Sequence, residues 1–348
     1  MVNLIGGLVM DNKRKVMVLC PVRNEESNLK RFVPVWQLFA DYIVIVDQCS
    51  EDNTRKVLSQ FNNVIVVDNQ DTDYHEGNRN VLLVNKAREI TSNGIFVYLD
   101  ADETLSANIL HSPEWQMFCE EDPGTVGAFQ WVTLWKTPFK YIDVGSYVFA
   151  FIDDGRRADV SQVIHGGVRG VGVGHFPKTF FFNEIVNLHF TFVNYENCVR
   201  KNNWYKARYI VKGAKKYYYT NRNHNWFYYV KEKELRPTPR EWLDGYINKG
   251  IDVTSTVTPD LLWYDIEILR WFNKYGVKKF YLLDIWRGID WEEKRKIALA
   301  RVIQGIPSIP IKKPNRLILF YNGLGTYNFS LFDLLRKIKR VLLRIFLP

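Results

Sequence analysis

The sequence predicts an α/β protein: a mostly parallel β-sheet flanked by helices, continued by a mainly helical C-terminal lobe. Three observations lead there. Through the first hundred residues, short apolar runs alternate with stretches of helical spacing. The acidic and polar clusters come directly after the apolar runs, not inside them. Near residue 200 the texture turns basic, aromatic and helical, which divides the chain into a domain at 1–200 and a second region at 201–348.

Residues 16–20 form a short apolar run, read as a buried strand. Residues 25–40 follow with Leu29, Phe32, Val33 and Trp36 at helical spacing. The pattern repeats as strand 42–46 and helix 51–61, then strand 64–67 and helix 79–90, and ends on a fourth strand at 95–99. Uninterrupted apolar strands separated by amphipathic helices imply a parallel sheet covered on both faces. Ligands of such sheets bind beyond the carboxyl ends of the strands. The polar clusters 21–25, 47–54 and 100–103 fall at those ends. Residues 125–192, rich in Gly and aromatics, are expected to complete the sheet with further strands and loops. Pro237 and Pro239 mark a break, and helical patterns follow at 259–275, 290–303 and 331–347.

Composition narrows the function. Hydrophobic residues at 47% against 24% charged exclude wholesale disorder. The net charge of +9 favours an anionic partner: nucleotide phosphates, nucleic acid or an anionic membrane. The four cysteines form no CxxC pair, so a reduced, cytoplasmic setting is expected. The apolar start at 1–10 is too short to span a membrane, and its charges follow the apolar run, unlike a signal peptide. No apolar run reaches the ~18 residues of a transmembrane helix.

Asp100 and Asp102 flank one residue after the fourth strand. Side chains two apart along a strand face the same way. Two converging carboxylates repel unless a cation lies between them, and oxygen ligands select hard ions such as Mg²⁺ or Mn²⁺. Such an ion typically also grips a diphosphate. The ordinary alternative is an acidic turn capping the next helix. Asp47, after the second strand, stands where a carboxylate can accept a hydrogen bond from a pyrimidine N–H. Ser50, Asp52 and Thr54 are expected to cap the following helix. Arg79 opens the third helix within reach of a phosphate.

Four stretches taken together resemble glycosyltransferase family 2, the nucleotide-sugar-dependent enzymes of GT-A (Rossmann-like) fold. They are Cys20-Pro21-Val22-Arg23-Asn24-Glu25-Glu26, the segment 45–54 around Asp47, Asn78-Arg79-Asn80, and Tyr98-Leu99-Asp100-Ala101-Asp102-Glu103. Their order and spacing match over roughly residues 15–110. The family commonly carries a second Asp where Gln48 stands here. The resemblance implies that Pro21, Val22, Arg23 and Glu25 line the nucleoside pocket and that Asp47 reads the base. It places Arg79 near the ribose and diphosphate, Asp100 and Ala101 close to the ribose, and the metal on Asp102. A second stretch, Asn187-Leu188-His189-Phe190 followed by Lys201-Asn202-Asn203-Trp204, is similar to bacterial lipopolysaccharide-core-type members and makes His189 a further metal ligand. For the base that takes the acceptor proton, Glu184, His165 and Asp154 are the candidates. Lys178 and Arg169 would steady the diphosphate.

Residues 201–231 interleave basic and aromatic side chains, which suits a polyanion, a lipid-phosphate-linked acceptor or a packed helical lobe. In 331–347, Leu331, Leu334, Leu335, Ile338 and Leu342 lie on one side with Arg336, Lys337, Arg340 and Arg344 on the other. Such a basic amphipathic helix suits a membrane interface, here the inner face, or docks on the core. The expected activity is transfer of a sugar, metal-dependent through Mn²⁺ or Mg²⁺, from a nucleotide-diphosphate donor, a UDP-sugar, to a hydroxyl of a glycan or lipid-linked glycan. Inversion at the anomeric carbon is implied by the resemblance. The alternatives are a hydroxymethylated DNA base as acceptor, and a non-catalytic nucleotide-sugar or polyanion binding protein.

Overall fold

The computed structural model describes residues 13–71, 75–155, 178–213 and 216–324. The chain divides into two compact units, Met1–Val193 with Leu235–Thr256, and Asn194–Glu234 with Val257–Pro348.

The first unit opens with the expected alternation: β1 (Val16–Val22), α1 (Glu26–Trp36), β2 (Tyr42–Asp47), α2 (Thr54–Leu58), β3 (Val64–Asp68), α3 (Glu76–Ile90) and β4 (Ile95–Tyr98). β1 is flanked by β2 and β4, and β2 by β3, all parallel. The two faces explain why these strands read as unbroken apolar runs. Val16, Val18, Cys20, Ile43 and Ile45 join a cluster with Leu29, Phe32 and Trp36 of α1. Their alternates Met17, Leu19, Val44 and Val46 pack with Leu83, Val84 and Ala87 of α3. A period of two with a helix on each side leaves no face for polar residues.

After β4 come β5 (Glu103–Leu105), α4 (Pro113–Glu120), β6 (Val126–Leu134), β7 (Lys140–Ile152) and β8 (Thr179–His189). Among the described residues the sheet order is β3-β2-β1-β4-β7-β6-β8-β5. β7 is antiparallel to β4 and β6, while β6 and β8 run parallel. The short β5 pairs antiparallel with β8. The fold is the mixed α/β sheet of GT-A type that the sequence predicts.

The division at residue 200 is not how the chain runs. The second unit starts at Asn194, and Leu235–Thr256 returns to the first. There β9 (Arg236–Pro237) pairs with β7, and α7 (Asp244–Ile247) packs on the turn Ala107–Leu110. The buried Tyr246 hydroxyl donates to the Leu105 carbonyl at 2.8 Å. Gly245 approaches Ala107 so closely that a Cβ would lie 2.8 Å from the alanine methyl. Pro237 and Pro239 thus stand just past the point where the chain crosses from the second unit back to the first.

The second unit holds α5 (Tyr195–Val211), α6 (Tyr217–Asn223), α8 (Trp263–Tyr275), α9 (Trp291–Ala300) and α10 (Arg316–Leu324) around an aromatic-rich core. No described helix is long and apolar enough to cross a membrane. The helix expected at 331–347 lies outside the described residues. In α5, Lys206 is fully buried, with its ammonium donating to the Asp284 carbonyl at 2.8 Å and to Asn203 Oδ1 at 3.2 Å. Burial lowers its pKa to about 7, against a weaker upward pull from Asp284. The folded pKa lies below the ordinary lysine value. Between the two, the unfolded chain holds a proton that the folded chain lacks, so stability rises with pH across that window. We expect thermal unfolding of the wild type to shift upward from pH 7 to 9, and the slope to flatten in Lys206→Met.

Candidate active site

The site forms at the carboxyl ends of β1, β2 and β4. Its first part is a clasp between two loops. Asn24 takes a positive φ of 56° after β1, and its Oδ1 accepts from the Glu51 backbone N–H at 2.6 Å. In return the Asn24 N–H donates to Ser50 Oγ at 2.8 Å, the Glu25 N–H to Thr54 Oγ1 at 2.9 Å and the Glu26 N–H to Asp52 Oδ2 at 3.2 Å. Ser50 and Thr54 therefore serve the start of α1, not of α2 as expected. The free N–H groups that open a helix need acceptors, and the neighbouring loop supplies them. Only Asp52, whose Oδ1 accepts from the Thr54 N–H at 2.9 Å, serves both helices.

Asp47 ends β2 and is fully buried. Ser50 donates to its Oδ1, and Arg55 Nε donates to its Oδ2 at 2.6 Å. The other end of the Arg55 guanidinium meets Asp68. These bonds, Asp68 first and then Asp47, raise the Arg55 pKa above its ordinary value. Gln48 is buried too and donates to the Asp71 carbonyl at 2.7 Å. The amide thus anchors the loop where the family commonly has a second acid. Pro21 and Val22 are buried at the end of β1, while Arg23 and Glu25 are partly exposed beside them. Arg79 is buried in the first turn of α3, at the same end of the sheet because a helix between parallel strands begins where the preceding strand ends.

The second part is the turn after β4. The Asp100 N–H donates to Glu103 Oε2 at 3.0 Å, and the Glu103 N–H donates back to the Asp100 carbonyl at 2.9 Å. This reciprocal pair holds Ala101 and Asp102 in a tight turn. Because β5 pairs with β8, Glu103 lies opposite His189. That register brings His189 Nε2 within 3.7 Å of Asp102 Oδ2. His189 Nδ1 lies 3.5 Å from Thr133 Oγ1, and its ring lies 5.2 Å from that of Trp131. The Phe190 N–H donates to the Asp102 carbonyl at 2.8 Å, tying the strand end to the turn.

A cation suits this arrangement. The Cys20 thiol is pushed well above its usual range, first by burial and then by Asp100, Glu25, Glu103 and Asp102. The buried thiol of β1 thus lies in the field of four carboxylates. A separation of 3.7 Å is in the range of about 3–4 Å that two ligands of one ion span. Among the described residues no three His, Cys, Asp or Glu side chains group tightly enough to hold an ion alone. Asp102 and His189, a carboxylate and an imidazole, make a two-residue set that suits Mn²⁺ better than Mg²⁺, with substrate phosphates and water needed to complete the shell.

Other expected residues lie elsewhere. Asp154 follows β7 at the end where Ile152 pairs with Ile95, so it sits beyond the amino end of β4, opposite to Asp102. Its neighbour Asp153 is held there by Arg88 at 2.7 Å. Lys178 precedes β8 at that same far end and pairs with Glu121. Glu184 accepts from Ser112 Oγ at 3.0 Å at the start of α4. It is five residues from His189, on the order of 15 Å of strand. Antiparallel and parallel pairings carry these three away from the carboxylate turn. His165 and Arg169 fall outside the described residues.

The structure adds three residues. Arg55 clasps Asp47, and Glu103 shapes the acidic turn. Asn187 is buried, with neither side-chain polar atom hydrogen-bonded, two residues before His189 and on the same strand face. Glu103 was visible as the fourth residue of the acidic motif. Asn187 stands in the stretch that carries His189 but was given no role there, and nothing in the sequence marks Arg55.

Residues 17–176 match the model of glycosyl transferase family 2. No curated protein matches the chain. Solved structures match at low identity. The inositol-1-phosphate CTP transferase from T. maritima is 13% identical, over 51% of this chain and 89% of that one, with a TM-score of 0.30. Glucosyl-3-phosphoglycerate synthase from Mycobacterium tuberculosis, in complex with Mn²⁺, uridine-diphosphate-glucose and phosphoglyceric acid, is 17% identical over 34% of this chain, with a TM-score of 0.24. The chain spans 44% of that synthase's length. HddC from Yersinia pseudotuberculosis is 10% identical, over 53% of this chain and 96% of its own, at 0.30. Scores this low leave the weight on the family match and on the order of the strands. Over residues 17–176, a little under half of its length, the chain is therefore similar to glycosyl transferase family 2, on a sheet of the mixed α/β kind described above.

Proposed function

We propose that the protein transfers a sugar from a nucleotide-diphosphate donor, a UDP-sugar, to a hydroxyl of a glycan or lipid-linked glycan, with inversion and with Mn²⁺ or Mg²⁺ bound. The observation that carries this reading is the meeting of Asp102 and His189, 3.7 Å apart, at the acidic turn that Asp100 and Glu103 close after β4. Asp102 and His189 would hold the ion, which supplies a counter-charge for the diphosphate leaving group. Thr133 keeps the His189 ring turned so that Nε2 faces Asp102. Asp47, fixed by Ser50 and Arg55, reads the base, with Pro21, Val22, Arg23 and Glu25 along the nucleoside. Arg79 steadies the diphosphate from the start of α3. Asp100 and Ala101 lie by the ribose. His165 is the remaining candidate to take the acceptor proton. The protein would act as a cytoplasmic enzyme, peripheral to the inner face of a membrane through 331–347. A hydroxymethylated DNA base is the second acceptor reading, motivated by the positive charge.

Many transferases slowly hydrolyse their donor without an acceptor. Incubating the wild type with a panel of nucleotide sugars and Mn²⁺ is expected to consume a UDP-sugar and to stop on chelation. Failure of every donor with metal present would end the reading. Arg55→Gln tests the clasp: we expect KM for the donor to rise about fivefold to tenfold with kcat less affected, the cost of one charge-assisted hydrogen bond that orients Asp47. An equal fall in kcat with KM unchanged would place Arg55 in another role.

A further inference from the structure

The positive charge of the chain belongs to one unit. The first unit carries 20 Lys and Arg against 27 Asp and Glu, and the second carries 27 against 11. No acidic residue occurs between Glu267 and Asp284, or between Glu293 and Asp333. The structure brings these two acid-free stretches together. The Tyr281 hydroxyl donates to the Lys312 carbonyl at 3.1 Å. Asn322 of α10 donates to the Tyr281 and Leu283 carbonyls at 2.8 and 3.0 Å. Lys278 and Lys279 stand exposed just before Tyr281, and Lys312, Lys313 and Arg316 stand exposed at the approach to α10.

The same place is apolar. α10 turns Leu319 toward the core of its unit and Asn322 onto the 281–283 strip. Its other face presents Leu317 and Phe320, one helical turn apart and 52% and 66% exposed. Ile309, in the loop before it, is 71% exposed. A short helix apolar on both faces, rimmed by cations and free of acids, suits an environment that is apolar within and anionic at its surface. A phosphodiester chain rewards stacking and charge, but gives nothing to Leu317 or Ile309. A second copy would bring the same positive charge, and so would 325–348, with five basic residues and one acid.

We propose that the surface of 278–281, 309–316 and the outer face of α10 docks the protein on an anionic lipid bilayer. Leu317 and Phe320 enter the headgroup boundary and the lysines meet the lipid phosphates. The docking is separate from the donor chemistry and from 331–347.

The test is flotation of the full-length protein with vesicles. Wild type is expected to float with mixed phosphatidylcholine–phosphatidylglycerol vesicles, not with phosphatidylcholine alone, and to be released by high salt. Leu317→Ser/Phe320→Ser and Lys312→Glu/Lys313→Glu should each weaken binding at least about tenfold while circular dichroism stays unchanged, since these side chains are exposed. The proposal is overturned if wild type does not float, or if Leu317→Ser/Phe320→Ser binds as well as wild type while Leu334→Ser/Leu335→Ser does not. It is equally overturned if single-stranded DNA displaces the vesicles and binds both Leu317→Ser/Phe320→Ser and wild type alike, because the surface would then be a nucleic-acid one.

Discussion

Asp102→Asn is expected to keep the fold and to reduce turnover of the donor about a thousandfold. The exchange preserves shape, and Asp102 is only 7% exposed, so the amide fills the same space. What disappears is the charge. A bound ion supplies several kcal/mol of stabilisation to a diphosphate leaving group, and each 1.36 kcal/mol is about a factor of ten in rate. His189→Gln should show itself first as weaker metal binding, by about tenfold to a hundredfold, with activity partly recovered at high Mn²⁺. Donor hydrolysis measured across a Mn²⁺ titration, with unfolding monitored by circular dichroism, separates the two. An Asp102→Asn enzyme as active as wild type would remove Asp102 from the metal site.

Asp265→Ala is expected to destabilise the helical unit by ~3–5 kcal/mol, the usual cost of leaving a buried charge alone. Arg200 and Asp265 are both fully buried, with Arg200 Nε 3.0 Å from Asp265 Oδ2. Asp265 also accepts from the Leu262 N–H at 2.9 Å at the start of α8, so the substitution removes a helix cap as well. A fall of the unfolding midpoint by roughly 10 °C should follow, by the usual scaling for units of this size. The double exchange Arg200→Met/Asp265→Leu should recover a large part of the loss, because it removes the charge that the single exchange strands. A single variant as stable as wild type would mean that the pair is open to solvent.

Much of the first unit was legible in the sequence because its signals are local. A strand covered on both faces must be apolar along its covered length, and Val16–Val22 and residues 42–46 are. The carboxyl ends of such strands are where polar residues must fall, so Asp47, Asp100 and Asp102 could be placed before any pairing was known. The second unit was less legible. Its helical periods at 259–275 and 290–303 are present as α8 and α9, but the return of Leu235–Thr256 to the first unit is driven by tertiary contacts such as Tyr246 with Leu105. Only Glu184, five residues before His189, was suggested by nearness along the chain; nothing in the sequence fixed the end of the sheet at which Asp154 or Lys178 would lie. Strand direction decides it: β7 and β8 carry the last two to the amino ends of the parallel strands.

Taken alone, the sequence determined which segments are strands and helices, the order of the four motifs, and the acidic turn that ends β4. Periodicity and burial are properties of neighbouring residues, and a single chain displays them. The pairing of His189 with Asp102 was expected from the resemblance, and the β5–β8 register realises it; the tertiary structure alone decided that Arg55 holds Asp47 and that the cations of α10 share a surface with those before Tyr281. Each of these depends on the register of elements far apart in the chain. That register is set by the packing of both partners at once, not by a pattern in either.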